Sequence, residues 1–156
     1  MSFRRALAVI FSLLFVLTGL PFLTPIGVHV DASNEVGCFL GCIHPVYRSR
    51  IFGFGARTPI MVISYLGAFR AWLYQPIFRL FGTGVLALRL PTLLVGAGSV
   101  AMFFVLLDRV IGRAAAIVGT VLLITDVSFV LATGLDFGPV AFLHFFMLAG
   151  MLLLLR

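Results

Sequence analysis

The sequence predicts an all-α membrane protein, a bundle of about four transmembrane helices with one further helix lying at the interface. Three observations carry this expectation. Hydrophobic residues make up 62% of the chain and charged residues 10%, against about a quarter charged in soluble domains. Mean hydropathy is +1.22, and a soluble fold of 156 residues has too much surface for its volume to hide that much apolar area. Finally, the apolar residues fall in runs close to the ~20 that a helix needs to cross a hydrocarbon core. Within this length there is room for one small bundle and for no separate soluble domain.

Taken in order, Arg4 and Arg5 precede an uncharged stretch from Ala6 to Leu23 that stays apolar to Val30. This is read as the first span, residues 6–30. A cleaved signal peptide is the rival, since Val30 and Ala32 loosely meet the small-residue rule before Ser33. Signal h-regions hold about 7–15 residues, however, and this run is longer, so it is taken as an uncleaved anchor. Residues 31–58 carry Asp31, Glu35, Arg48, Arg50 and Arg57 among glycines and read as an external loop, with room for a short helix capped by Asp31 or Ser33. Residues 60–81 are apolar again but interrupted by Arg70, Gln75, Pro76 and Arg79. Tyr65, Trp72 and Tyr74 cluster there, as aromatics do at a lipid–water boundary. The segment is therefore expected to lie in the interface as a helix and not to cross. Three further spans follow, at 90–107, 114–134 and 138–155. The first contains Gly96-Ala97-Gly98-Ser99, small residues that let helices approach closely in lipid.

The net charge of +6 comes entirely from arginine, for the chain has no lysine. A pI near 10.7 often signals nucleic-acid binding, but these arginines are scattered between apolar runs and form no basic stripe, so no nucleic-acid partner is expected. Arginine at membrane edges sets orientation and meets lipid phosphates. If Arg4 and Arg5 are cytoplasmic and 60–81 does not cross, the turn with Asp108, Arg109 and Arg113 is also cytoplasmic, as is Arg156. The protein is then a multi-pass protein of the inner cell membrane, and the loops bearing Asp31 and Asp136 face outside. A crossing by 60–81 would separate these two acids. Arg48, Arg50 and Arg57 in the outer loop run against the charge rule and suggest an anionic partner there.

The chain has five acids, and an ionisable group at a membrane boundary is a functional-site hypothesis by default. Asp31 is either a helix cap or a general base able to take a proton from an acceptor hydroxyl within hydrogen-bond reach. Glu35, one helical turn later, can share its face, the alternative being a solvated surface acid. Asp136, followed by Gly138 and Pro139, is a cap for the last helix or a second functional carboxylate. Asp126, inside a span, is expected to find a structural hydrogen bond with Thr125, Ser128 or the backbone. Cys38, Cys42 and His44 fall short of a tetrahedral zinc set, and Cys38 and Cys42 are read as two unpaired small hydrophobes, with a disulfide as the alternative. His144, alone in the last span, is read as a packed or helix-bonded histidine and not as a cofactor ligand. No phosphate-cradling glycine loop, nucleophile elbow or zinc-protease motif is present.

Several stretches together carry a resemblance. They are Pro59-Ile60-Met61 leading to Ser64-Tyr65-Leu66-Gly67-Ala68-Phe69, then Pro76-Ile77-Phe78-Arg79-Leu80-Phe81-Gly82, and Leu88-Arg89-Leu90-Pro91. Asp126-Val127-Ser128-Phe129 and Asp136-Phe137-Gly138-Pro139 complete them. From about Asp31 onward the chain resembles the N-terminal part of polytopic GT-C glycosyltransferases, the bacterial relatives of protein O-mannosyltransferases and of the lipid A aminoarabinose transferase. The resemblance implies a polyprenyl-phosphate-linked sugar as donor, membrane lipid around it, and transfer to an acceptor at the outer face. By position it implies Asp31 as catalytic base or acceptor-orienting acid. It further implies Asp136 as a second acid that helps bind acceptor or a divalent metal ion, and Arg57 or Arg89 as partners of the lipid phosphate. Many members have adjacent acids in the first loop, whereas here Ala32 follows Asp31 and the next acid is Glu35. Full-length relatives have more spans, so this chain reads as a fragment inactive alone, with small-residue faces left unpaired. The rival expectation is a small non-catalytic membrane protein, an assembly or transport subunit, using both acids as caps and the Gly96 face for helix contacts.

Overall fold

The computed structural model describes residues 3–24, 47–49, 58–63, 66–67, 69–134 and 139–155. In chain order these form α1 (Phe3–Gly19), a 3-10 turn (Leu20–Phe22), β1 (Tyr47–Ser49), β2 (Thr58–Ile63), β3 (Leu66–Gly67), α2 (Phe69–Phe81), α3 (Val85–Val110), α4 (Arg113–Thr125), α5 (Val127–Gly134) and α6 (Val140–Leu154). They belong to two compact units, Met1–Gly27 with Leu88–Arg156, and Val28–Ala87.

The first unit is a helical bundle. In α1 the buried residues Ala8, Phe11, Phe15 and Gly19 recur every three or four positions and make one stripe. They meet a matching stripe on α3, Leu93, Ala97, Val100 and Phe104, all in the same buried cluster. The register is antiparallel throughout. Gly19 lies against Leu93 and Phe15 against Gly96, Ser12 Oγ donates to the Ala97 carbonyl at 2.9 Å, and the rings of Phe11 and Phe104 stand 5.6 Å apart. Arg4 pairs with Asp108 at the far end. In lipid, where burial between helices gains little over burial in acyl chains, such close packing and interhelical hydrogen bonds supply the association.

Helix α3 has 26 residues and is about 39 Å long at 1.5 Å per residue, enough to cross the ~30 Å hydrocarbon core. Its C-terminus closes with the N–H groups of Ile111 and Gly112 both donating to the Leu107 carbonyl, and Gly112 then leaves the helix at a φ of +114° that suits glycine. Helices α4 and α5 are one apolar stretch broken by 58°. Asp126 stands at the break with extended backbone, and its Oδ1 accepts the Phe129 N–H at 2.7 Å. That is the backbone hydrogen bond expected of this acid, acting as the cap of α5. Among the described residues two helices are thus long and apolar enough to cross a membrane, and a third if the bent pair is one span. Helix α6, with 15 residues, is about 22 Å long.

The second unit contains a small antiparallel sheet in the order β1-β2-β3, with Tyr47 opposite Met61 and Ile63 opposite Leu66. The expected interfacial helix over 60–81 is therefore shorter than read. Its first part is strand, and α2 begins at Phe69. Thr58, Ile60, Val62 and Ile63 are β-branched and favour extended backbone, a local preference that the hydropathy of the segment concealed. At 13 residues, α2 is about 20 Å long and too short to cross. Of the external loop 31–58, only Tyr47–Ser49 and Thr58 are described, and they are strand.

Candidate functional site

The antiparallel pairing of α1 and α3 defines two ends of the bundle, and it decides which connections share an end. Arg4 and the α3–α4 turn are together at one end. At the other, Leu23 closes the first apolar segment and Arg89 opens the next: Arg89 Nη1 donates to the Leu23 carbonyl at 2.8 Å. That carbonyl belongs to a helix C-terminus, where carbonyls lack intrahelical donors and a cation is favoured. Arg89 is 1% exposed, so its guanidinium is built into the bundle, and Pro91 two residues on gives the start of α3 one fewer backbone donor. Helix α5 returns to this same end, because Thr133 lies against Gly96, as Phe15 does.

The chain leaves this end after Leu23 and re-enters it at Arg89, then reaches it again at Gly134. The stretches carrying Asp31 and Asp136 are attached there. Asp31, Glu35, Arg57 and Asp136 themselves lie outside the described residues, as do Cys38, Cys42 and His44. Arg89 is the one residue of the expected site whose surroundings are described. Its bond to Leu23 is a structural duty that the sequence did not reveal, since Leu23 is 66 positions away. Among the described residues no group of three His, Cys, Asp or Glu side chains could hold a metal ion.

The buried hydroxyls along the bundle are mostly absorbed locally. Thr92 donates to the Arg89 carbonyl at 2.8 Å and Thr133 to that of Phe129 at 2.7 Å, the back-bonding by which threonine survives in an apolar helix. His144 packs on Phe129 with ring centroids 5.8 Å apart, matching the packed-histidine expectation.

The opposite end holds a feature that reading the sequence missed. Asp108, read there as part of a polar turn, has a side chain 3% exposed and is gripped from two sides, by Arg4 and by Arg113 at 3.2 Å through Nε. Arg113 also stands 5.3 Å over the Phe3 ring. The only available hint was the scarcity of acids, which makes any acid beside arginines a pairing candidate; the partner 104 positions away at Arg4 needed the fold. No protein-family model, curated protein or solved structure matches the chain.

Proposed function

We propose that this chain is the N-terminal portion of an integral-membrane glycosyltransferase of the GT-C type, moving a sugar from a polyprenyl-phosphate donor to an acceptor at the outer face of the inner membrane. One observation supports it above the others: the antiparallel register of α1 and α3 returns the chain to the end it left, so that the connections bearing Asp31 and Asp136 both leave from one end of the bundle. Two acids supplied to one face of the membrane are what a base and an acceptor-binding or metal-binding partner require. The four-span count, the cytoplasmic N-terminus and the site roles are parts of this proposal.

In the reaction proposed, Asp31 takes the proton from the acceptor hydroxyl as that oxygen attacks the anomeric carbon. The bond to the polyprenyl phosphate breaks on the opposite face, inverting the anomeric centre. Negative charge builds on the departing phosphate, which a guanidinium stabilises. Arg57 suits that task better than Arg89, whose buried Nη1 holds the Leu23 carbonyl. Arg89 then acts by holding the first apolar segment against the start of α3. Glu35 is assigned to substrate binding beside Asp31.

The non-catalytic rival uses the Gly96 face for helix contacts, and such contacts exist within the chain, Gly96 with Phe15 and Thr133 and Gly98 with Phe145, so they favour neither reading. They do correct the expectation that this small-residue face is left unpaired. The test is sugar transfer from a polyprenyl-phosphate donor in membranes containing the protein as the cell makes it. Asp31→Asn and Asp136→Asn are each expected to abolish transfer with membrane insertion intact. Wild-type rates in both variants refute the site.

A further inference from the structure

The end of the bundle away from the proposed catalytic face carries four arginines, Arg4, Arg5, Arg109 and Arg113, and Asp108 pairs with two of them, Arg4 and Arg113. We infer that Arg4 and Arg113, held side by side by Asp108, form a binding site for the phosphate of an anionic phospholipid headgroup in the leaflet at that end.

Two guanidiniums on one carboxylate leave a net positive charge, and their arrangement is set by a buried group. The Asp108 side chain is 3% exposed, whereas those of Arg4 and Arg113 are 39% and 46% exposed. Both contacts to Asp108 run through Nε, which leaves the Nη groups of both forks outside these two contacts. Phosphate is the anion whose oxygens fit such forks. The Phe3 ring beneath Arg113 adds to its fixation and is itself 65% exposed, an apolar surface beside the guanidinium. Helix α4 starts at Arg113 behind Gly112, which has no side chain to cap it, so its first-turn N–H groups reinforce the positive potential. A lipid is favoured over a soluble anion because the site stands at the terminus of two apolar helices able to cross a membrane, where headgroup phosphates are the concentrated anion.

The experiment compares retention of phosphatidylglycerol over phosphatidylcholine by the protein in nanodiscs of defined mixture, read by native mass spectrometry. The triple variant Arg4→Gln/Asp108→Asn/Arg113→Gln removes the site while lowering net charge by one and leaving no unpaired buried carboxylate. The double variant Arg5→Gln/Arg109→Gln lowers net charge by two and leaves the site. A site predicts the larger loss of preference in the triple variant, on the order of 25-fold for two guanidiniums, and a smaller one in the double variant. A diffuse surface field predicts the reverse order, and that result overturns the proposal, as does unchanged preference in the triple variant. Inorganic phosphate at millimolar concentration should leave lipid retention unaltered; if it displaces the lipid, the site is one for soluble phosphate and the lipid assignment falls. Should the triple variant not fold, Arg4→Lys/Arg113→Lys retains the charges without the forks and is expected to lose preference about fivefold. Full preference in that variant overturns the proposal equally.

Discussion

Two glycine-to-alanine substitutions, chemically identical, are expected to differ clearly in their effect on stability. At Gly96 an added Cβ would stand 3.0 Å from Phe15 Cε1, 3.0 Å from Thr133 Cγ2 and 3.2 Å from Thr133 Cβ, whereas carbon atoms rest at about 3.5–4.0 Å. Neither neighbour has room to yield. Phe15 is 1% exposed and packed at a tilt against Phe129, and Thr133 is fully buried with its hydroxyl bonded to the Phe129 carbonyl. Overpacking of this kind costs about 1–3 kcal/mol, offset by about 1 kcal/mol because alanine loses less backbone entropy in a helix. Gly96→Ala should therefore range from neutral to about 2 kcal/mol destabilising. At Gly150, also inside a helix, a new Cβ meets no atom within 4 Å, and only the favourable entropic part remains, about 1 kcal/mol. Unfolding in mixed micelles of rising SDS fraction, followed by circular dichroism, should separate the two variants by about 1–3 kcal/mol. If Gly96→Ala stabilises as much as Gly150→Ala, the close meeting of α1, α3 and α5 at Gly96 is wrong.

Three other predictions follow from the same contacts. Asp126→Ala removes the acceptor for the Phe129 N–H and should destabilise by about 1 kcal/mol, while Asp126→Asn, which keeps an oxygen there, should cost clearly less on the same unfolding curve. A double-mutant cycle of Phe15→Ala and Phe129→Ala should return a coupling of about 0.5–1.5 kcal/mol; additive losses would deny the ring contact. In a Cys38→Ser/Cys42→Ser background, Arg5→Cys and Ile111→Cys should react with an impermeant maleimide from one side of the membrane and Pro139→Cys from the other, and any other partition contradicts the antiparallel register.

Much of the bundle was legible in the chain itself. Hydropathy and run length determined that the helices are apolar and where α1 and α3 lie, because lipid demands internal satisfaction of the backbone and so admits long helices. The need for a partner also determined the role of Asp126, since a cap bond is local, three residues away. Other properties depended on residues far apart in number. That Arg4 and Asp108 share an end, that Arg89 serves the Leu23 carbonyl, and that the Gly96 patch is filled by Phe15 and Thr133 were decided only by the tertiary structure. So was the strand at Thr58–Ile63, where pairing with β1 and β3 prevailed over a helical reading of the same apolar residues. Composition counts atoms that leave water, whereas pairing depends on which atoms meet. For an uncharged helix in lipid many packings have nearly the same burial, and only the few polar groups and the shapes of small and large side chains choose among them.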